Sequence, residues 1–125
     1  MINSNYYGSP VQNSIGDLVK VLHLEEKSRN DAEIKGVPAL HRLFNIAKSN
    51  SRQALVIRRF LLGLYDGARF PVNLNSLRYL DVNIIDDSLL VLGMDAMSLS
   101  ANIDDHIAKG SMFFEAWARN AEVLQ

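Results

Sequence analysis

Apolar residues in this chain recur at steps of three and four, and no stretch alternates apolar with polar between hairpin turns. Three-and-four spacing is the repeat of a helix face, so the chain reads as all-α, with a core built from helix stripes. The spacing predicts a first helix from Asn13 or Ser14, residues that cap well, carrying Ile15, Leu18, Val19 and Leu22 and fading near Glu26. The polar stretch Lys27 to Asp31 reads as a connection. Gly36-Val37-Pro38 then starts a second helix, with proline in its favoured first turn and Leu40, Leu43, Phe44 and Ala47 as its stripe.

Ser51 caps the next helix, whose stripe is Ala54, Ile57, Leu61, Leu62 and Tyr65, and Asp66-Gly67 ends it as a turn or a left-handed stop. Phe70-Pro71-Val72 is extended, because proline pushes the residue before it out of the helical region, and Asn73 or Asn75 then caps a short helix with Leu77 and Leu80. Val82 to Leu99 is strongly helical, second only to the helix after Ser51, with Ile85, Leu89, Leu92 and Ala96 sharing a face that Val82, Ile84, Leu90 and Met97 widen, as suits a central position. Gly93 within it marks either a close approach by a neighbouring backbone or a bend. After a polar break at Asn102 to Asp105, the last helix starts at Asp104 with an interruption at Gly110, or starts at Ser111. Its face is Phe113, Ala116, Trp117 and Ala121.

A chain of 125 residues with 48% apolar and 22% charged content has the size and composition of one folded unit. The expected organisation is a compact, bundle-like single domain of about five or six helices over residues 13–125, behind a flexible N-terminal arm, residues 1–12, that lacks periodicity. Absence of cysteine removes disulfides, thiolate metal sites and cysteine nucleophiles, and fits a reducing compartment. Neither a basic-then-apolar leader nor a membrane-length apolar run is present, the longest run being Leu89 to Met94. A cytoplasmic protein without a membrane partner follows by elimination.

Catalytic patterns are missing. His23, His41 and His106 fall in separate elements with no second histidine one turn away, and no glycine-rich phosphate loop or Gly-x-Ser-x-Gly elbow occurs. The sequence therefore assigns no catalytic residue, no metal ligand set and no cofactor. Its densest acidic feature is Asp81 with Asp86 and Asp87, a residue type that can bind magnesium or move protons. On an ideal helix, however, Asp81 and Asp86 sit about 140° apart, so they share a site only if the chain bends near Val82.

Charge is split along the chain. From His41 to Arg78 there are seven cations (Arg42, Lys48, Arg52, Arg58, Arg59, Arg69, Arg78) against Asp66. From Tyr79 to Gly110 there are six acids (Asp81, Asp86, Asp87, Asp95, Asp104, Asp105) against Lys109, while the whole chain carries only -1. Either the two blocks pair with each other, or the arginines form an exposed face. Arg52, Arg58 and Arg59 are the candidates for such a face, since a guanidinium fork suits both carboxylates and phosphates. Phe60 and Phe114 are not clearly inward, and an exposed cluster of them with Tyr6 and Tyr7 would add a partner surface.

The stretches Ala39-Leu40-His41-Arg42-Leu43, Arg59-Phe60-Leu61-Leu62-Gly63, Asn73-Leu74-Asn75-Ser76-Leu77 and Asp81-Val82-Asn83-Ile84-Ile85-Asp86-Asp87 carry a resemblance. Over residues 37–95 the chain is similar to an uncharacterised family of small bacterial proteins encoded on plasmids and integrative mobile elements. That resemblance implies an accessory protein and no catalytic residues. The expected function is a non-enzymatic protein-interaction module, an accessory or inhibitor protein of a mobile element or phage, acting on a protein partner or as a homo-oligomer. A small nucleic-acid-binding regulator using the arginine face is the alternative, and a metal-dependent enzyme on the aspartate cluster is the second.

Overall fold

Ser14 opens the first helix with a reciprocal cap: its hydroxyl accepts the N–H of Asp17 at 3.1 Å, and the Asp17 carboxylate accepts the N–H of Ser14 at 3.3 Å. In the computed structural model, which describes residues 14–124, helix α1 then runs unbroken over Ile15–Ala47. The expected arm, residues 1–12, lies outside the described residues. The connection expected at Lys27 to Asp31 is instead helix. Lys27 and Arg29 are good helix formers, the weaker Ser28, Asn30 and Asp31 cost only roughly a few tenths of a kcal/mol each, and Lys27 and Asp31 pair across one turn at 3.6 Å. Pro38, read as a first-turn residue, sits inside the helix with its ring exposed. An interior proline costs about 3 kcal/mol. Burial of Gly36, Ala39, Leu40, Leu43, Phe44 and Ala47 along one face of α1 offsets that cost.

Helix α2, Arg52–Tyr65, starts on the Ser51 hydroxyl, which accepts the Ala54 N–H at 3.0 Å. An extended segment follows, then a short 3-10 helix, Leu74–Tyr79, capped by Asn73. Helix α3 spans Val82–Met97 and runs antiparallel to α1, with Met94 against Gly36 and Asp87 against Arg42. A 3-10 turn, Ile103–His106, leads to α4, Gly110–Leu124. The all-α, bundle-like single domain is thus what the chain forms, with no strand among the described residues.

Two details of α3 differ from the sequence reading. Its buried face is Ile84, Ser88, Val91 and Met94, while Leu89 and Leu90 are turned out and Ala96 is exposed. Ser88 looks polar in a sequence, but its hydroxyl donates to the Ile84 carbonyl of its own helix at 2.8 Å, so it enters the core with its hydrogen bond made. Gly93 faces open space, and the close approach lies at Gly36 of α1, where an added Cβ would stand 2.6 Å from the Met94 Cβ.

Aromatic rings tie α4 to the rest. Phe44 meets Phe113 edge-on with centroids 5.1 Å apart, and Tyr65 stacks on Phe114 at 5.0 Å. Phe60 and Phe114 are both fully buried, so they belong to the core and form no surface cluster. None of the described helices is long and apolar enough to cross a membrane.

Candidate functional site

The inward stripe of α2 leaves Arg58 and Arg59 on its flank, and their neighbours decide what each does. Arg58 is half-buried and turns back on the preceding helix. Its Nη1 donates to the carbonyls of Ala47 at 2.7 Å and Ser49 at 3.0 Å, supplying donors that the end of α1 lacks. Arg59 is exposed and makes no ion pair or hydrogen bond among the described residues. Arg52 is also exposed, in the first turn of α2.

Beside these arginines the chain opens a groove of about 710 Å³, a size within the range of ligand-holding clefts. One wall is α2, the second is the extended segment with its 3-10 helix, and the third is α4 through Trp117 and Asn120. Gly63 lets the second wall lie close to α2, with the Val72 Cβ 3.1 Å from where a side chain would begin. Leu62 and Phe70 are buried beneath it, whereas Leu55 and Leu74 stand exposed on it. Arg58 and Arg59 are the charged residues lining it; Arg52 lies outside. The groove therefore presents an apolar bed with one committed and one unengaged guanidinium.

The acidic candidates are placed apart. Asp81 stands at the N-cap position of α3 without a side-chain capping bond; it is held instead by Gln53, whose Oε1 accepts the Asp81 N–H at 2.8 Å and whose Nε2 donates to its carboxylate at 3.1 Å. Asp87 takes a bidentate pair from Arg42 at 2.8 and 2.9 Å, which holds the Arg42 guanidinium above its usual pKa. This is one point where the basic and acidic blocks pair. Asp86 is exposed. No group of three or more His, Asp or Glu side chains is placed to hold a metal ion among the described residues. His41 Nε2 lies 2.9 Å from the His106 carbonyl oxygen, and His23 is exposed on α1.

Sequence reasoning missed one polar cluster. Glu115 of α4 accepts the Tyr65 hydroxyl at 2.6 Å and a bidentate pair from Arg69 at 2.9 and 3.2 Å. The Arg69 and Tyr65 hydrogen bonds lower the Glu115 pKa, and the bond to Glu115 pushes Tyr65 up to about 12. Those partners lie 46 and 50 residues away in sequence, so no local pattern announces them. The groove did have a signal, since Leu55 and Leu74 are apolar residues off the inward stripes.

No curated protein and no solved structure matches the chain. One family model does, over residues 37–122, which takes in the groove and most of the bundle but leaves out α1 before Val37. The chain belongs to that family, DUF7673, a family of unknown function.

Proposed function

We propose that this domain is a non-enzymatic protein-interaction module whose groove receives an apolar segment bearing acidic side chains. The observation that carries the reading is the groove's lining: a mostly apolar bed whose charged members are Arg58 and Arg59, with Arg59 unengaged. A helix or strand docking there would bury Leu55 and Leu74, and a carboxylate would supply the partner that Arg59 lacks. The resemblance to proteins of plasmids and integrative elements supports an accessory or inhibitor role in a bacterial mobile element or phage. A cytoplasmic partner fits the cysteine-free composition.

Nucleic acid is the less favoured occupant. Arg58 is already committed to carbonyls, and the bed around Arg59 is apolar, where a phosphate track needs a run of cations. The test is affinity capture from a bacterial lysate, with nuclease and at raised salt, comparing the wild type with Arg59→Glu. The proposal expects a nuclease-resistant protein partner that is lost in the variant. A partner retained by Arg59→Glu, or material released by nuclease, refutes it.

A further inference from the structure

Among the described residues, nothing covers the N-terminal half of α1. Residues 15–28 are all exposed, including Ile15 (83%), Leu18 (56%), Val19 (42%) and Leu22 (53%). This stripe is the continuation of the face that α1 buries in the bundle. Leu18 and Gly36, and likewise Leu22 and Leu40, are separated by five whole helical turns, so the members of each pair point the same way. Gly36 and Leu40 are buried. A fully solvated helix of this length is marginal in water, and an apolar face in register with a core face is built to be covered.

We infer that the occupant of the groove is this projecting half of α1 from a second copy of the chain, exchanged reciprocally about a two-fold axis. The inference rests on the reading of the groove as a docking site and names its partner.

Charge complementarity supports the choice of partner. The stripe Ile15, Leu18, Val19 and Leu22 is followed on the same side by Glu25 and Glu26, while the groove pairs an apolar bed with Arg58 and Arg59. Seating the stripe in the bed brings a carboxylate to the unengaged Arg59.

Geometry makes the exchange intermolecular. The groove begins at Asn50, just past the C-terminal end of α1, whereas the stripe occupies the opposite end of the same continuous helix. From Leu18 to Ala47 the axis spans about 43 Å, so no chain can fill its own groove with its own stripe. Two copies side by side with their α1 helices antiparallel bring each stripe to the other's groove, which is a closed two-fold arrangement.

Area is sufficient. Half the wall of a helix about 10 Å across and about 21 Å long is about 330 Å². Two reciprocal contacts, counting both sides of each, then bury about 1,300 Å², within the class of specific interfaces.

Sedimentation equilibrium tests this on the full chain. The wild type is expected to be a dimer. Leu18→Glu/Leu22→Glu and Arg59→Glu/Leu74→Glu, which alter exposed side chains and are checked for helicity by circular dichroism, are each expected to be monomers. Mixed in equal amounts, the two variants are expected to form a dimer, because one intact stripe then meets one intact groove. A wild-type monomer at tens of micromolar overturns the inference, and so does a dimer that survives both sets of changes. Failure of the mixture to pair also overturns it, since like surfaces would then be meeting. If the wild type is monomeric but Arg59→Glu/Leu74→Glu loses a captured protein, the groove reading stands and only the second copy is refuted. If that variant changes neither mass nor capture, both fall.

Discussion

Gly36, buried between α1 and α3, and Gly93, which faces open space on α3, should respond to the same substitution with opposite signs. At Gly36 an added methyl would stand 2.6 Å from the Met94 Cβ and 2.7 Å from its Sδ. The thioether end can swing away, but the Cβ is fixed to the α3 backbone, so the two helices must part by about 1 Å to reach the separation of about 3.5–4.0 Å that carbon atoms prefer. Overpacking of this kind costs about 1–3 kcal/mol, against about 1 kcal/mol returned by replacing a mid-helix glycine with alanine. Gly36→Ala should therefore destabilise by about 1–2 kcal/mol, the upper half of that net range. At Gly93 nothing lies within 4 Å of the new methyl, and the propensity gain of about 0.5–1 kcal/mol is not opposed. For a chain of this length each kcal/mol moves Tm by about 3–5 °C, so thermal and urea unfolding resolve both effects. Equal signs for the two variants would refute the placement of the close approach at Gly36 rather than Gly93.

Other perturbations test the remaining joints. Gly110→Ala would set a methyl against the backbone carbonyl of Asp104, which cannot swing aside, and should cost about 3 kcal/mol or more; an unchanged urea midpoint would contradict it. Lys109, one residue earlier, sits at φ 57°, so Lys109→Gly should raise stability by about 1 kcal/mol, read in the same unfolding experiment. Arg58→Ala removes two charge-assisted bonds to the end of α1 from a half-exposed site and should cost about 1–2 kcal/mol, whereas a loss below about 0.5 kcal/mol would show the cap to be idle. Burial raises the Asp95 pKa, so the fold disfavours its ionised form, and that penalty is present at neutral pH and fades as pH falls through the carboxylate range. Asp95→Asn should accordingly raise Tm at pH 7, with the gain shrinking in acid; a gain that grows in acid would reverse the sign. Glu115 is shifted the other way, so its contribution is present at neutral pH and is lost as pH falls through its lowered value.

The helical class, the stripes of α2 and of the buried half of α1, and the Ser14 and Ser51 caps were legible in the sequence, because three-and-four spacing and capping chemistry act over a few residues; in α4 the buried residues are Phe114 and Ala118, next to the expected Phe113 and Trp117, which are half-buried. The errors share a cause in tertiary packing. Lys27 to Asp31 reads as a break on polarity alone, yet α1 continues through it and on through Pro38, held by a buried face that the next seventy residues supply. Ser88 is absent from the face read for α3, yet a bond to its own helix lets it face inward while Leu89, counted in that face, is at the surface. Of the arginines chosen as an exposed face, Arg58 and Arg59 come together at the groove and Arg52 lies outside it. Their different uses depend on where Ala47 and Ser49 end up, which no local spacing encodes.

The measurement that tests the groove most directly is site-specific photocrosslinking in cells. A photoreactive phenylalanine replaces Leu74 on the groove, or Tyr79, which is exposed beyond the residues that line it. The account predicts a discrete protein adduct at position 74 whose crosslinked peptide is apolar and acidic, absent at position 79 and lost when Arg59→Glu is added. Equal adducts at both positions, or an adduct at position 74 indifferent to Arg59→Glu, would contradict it.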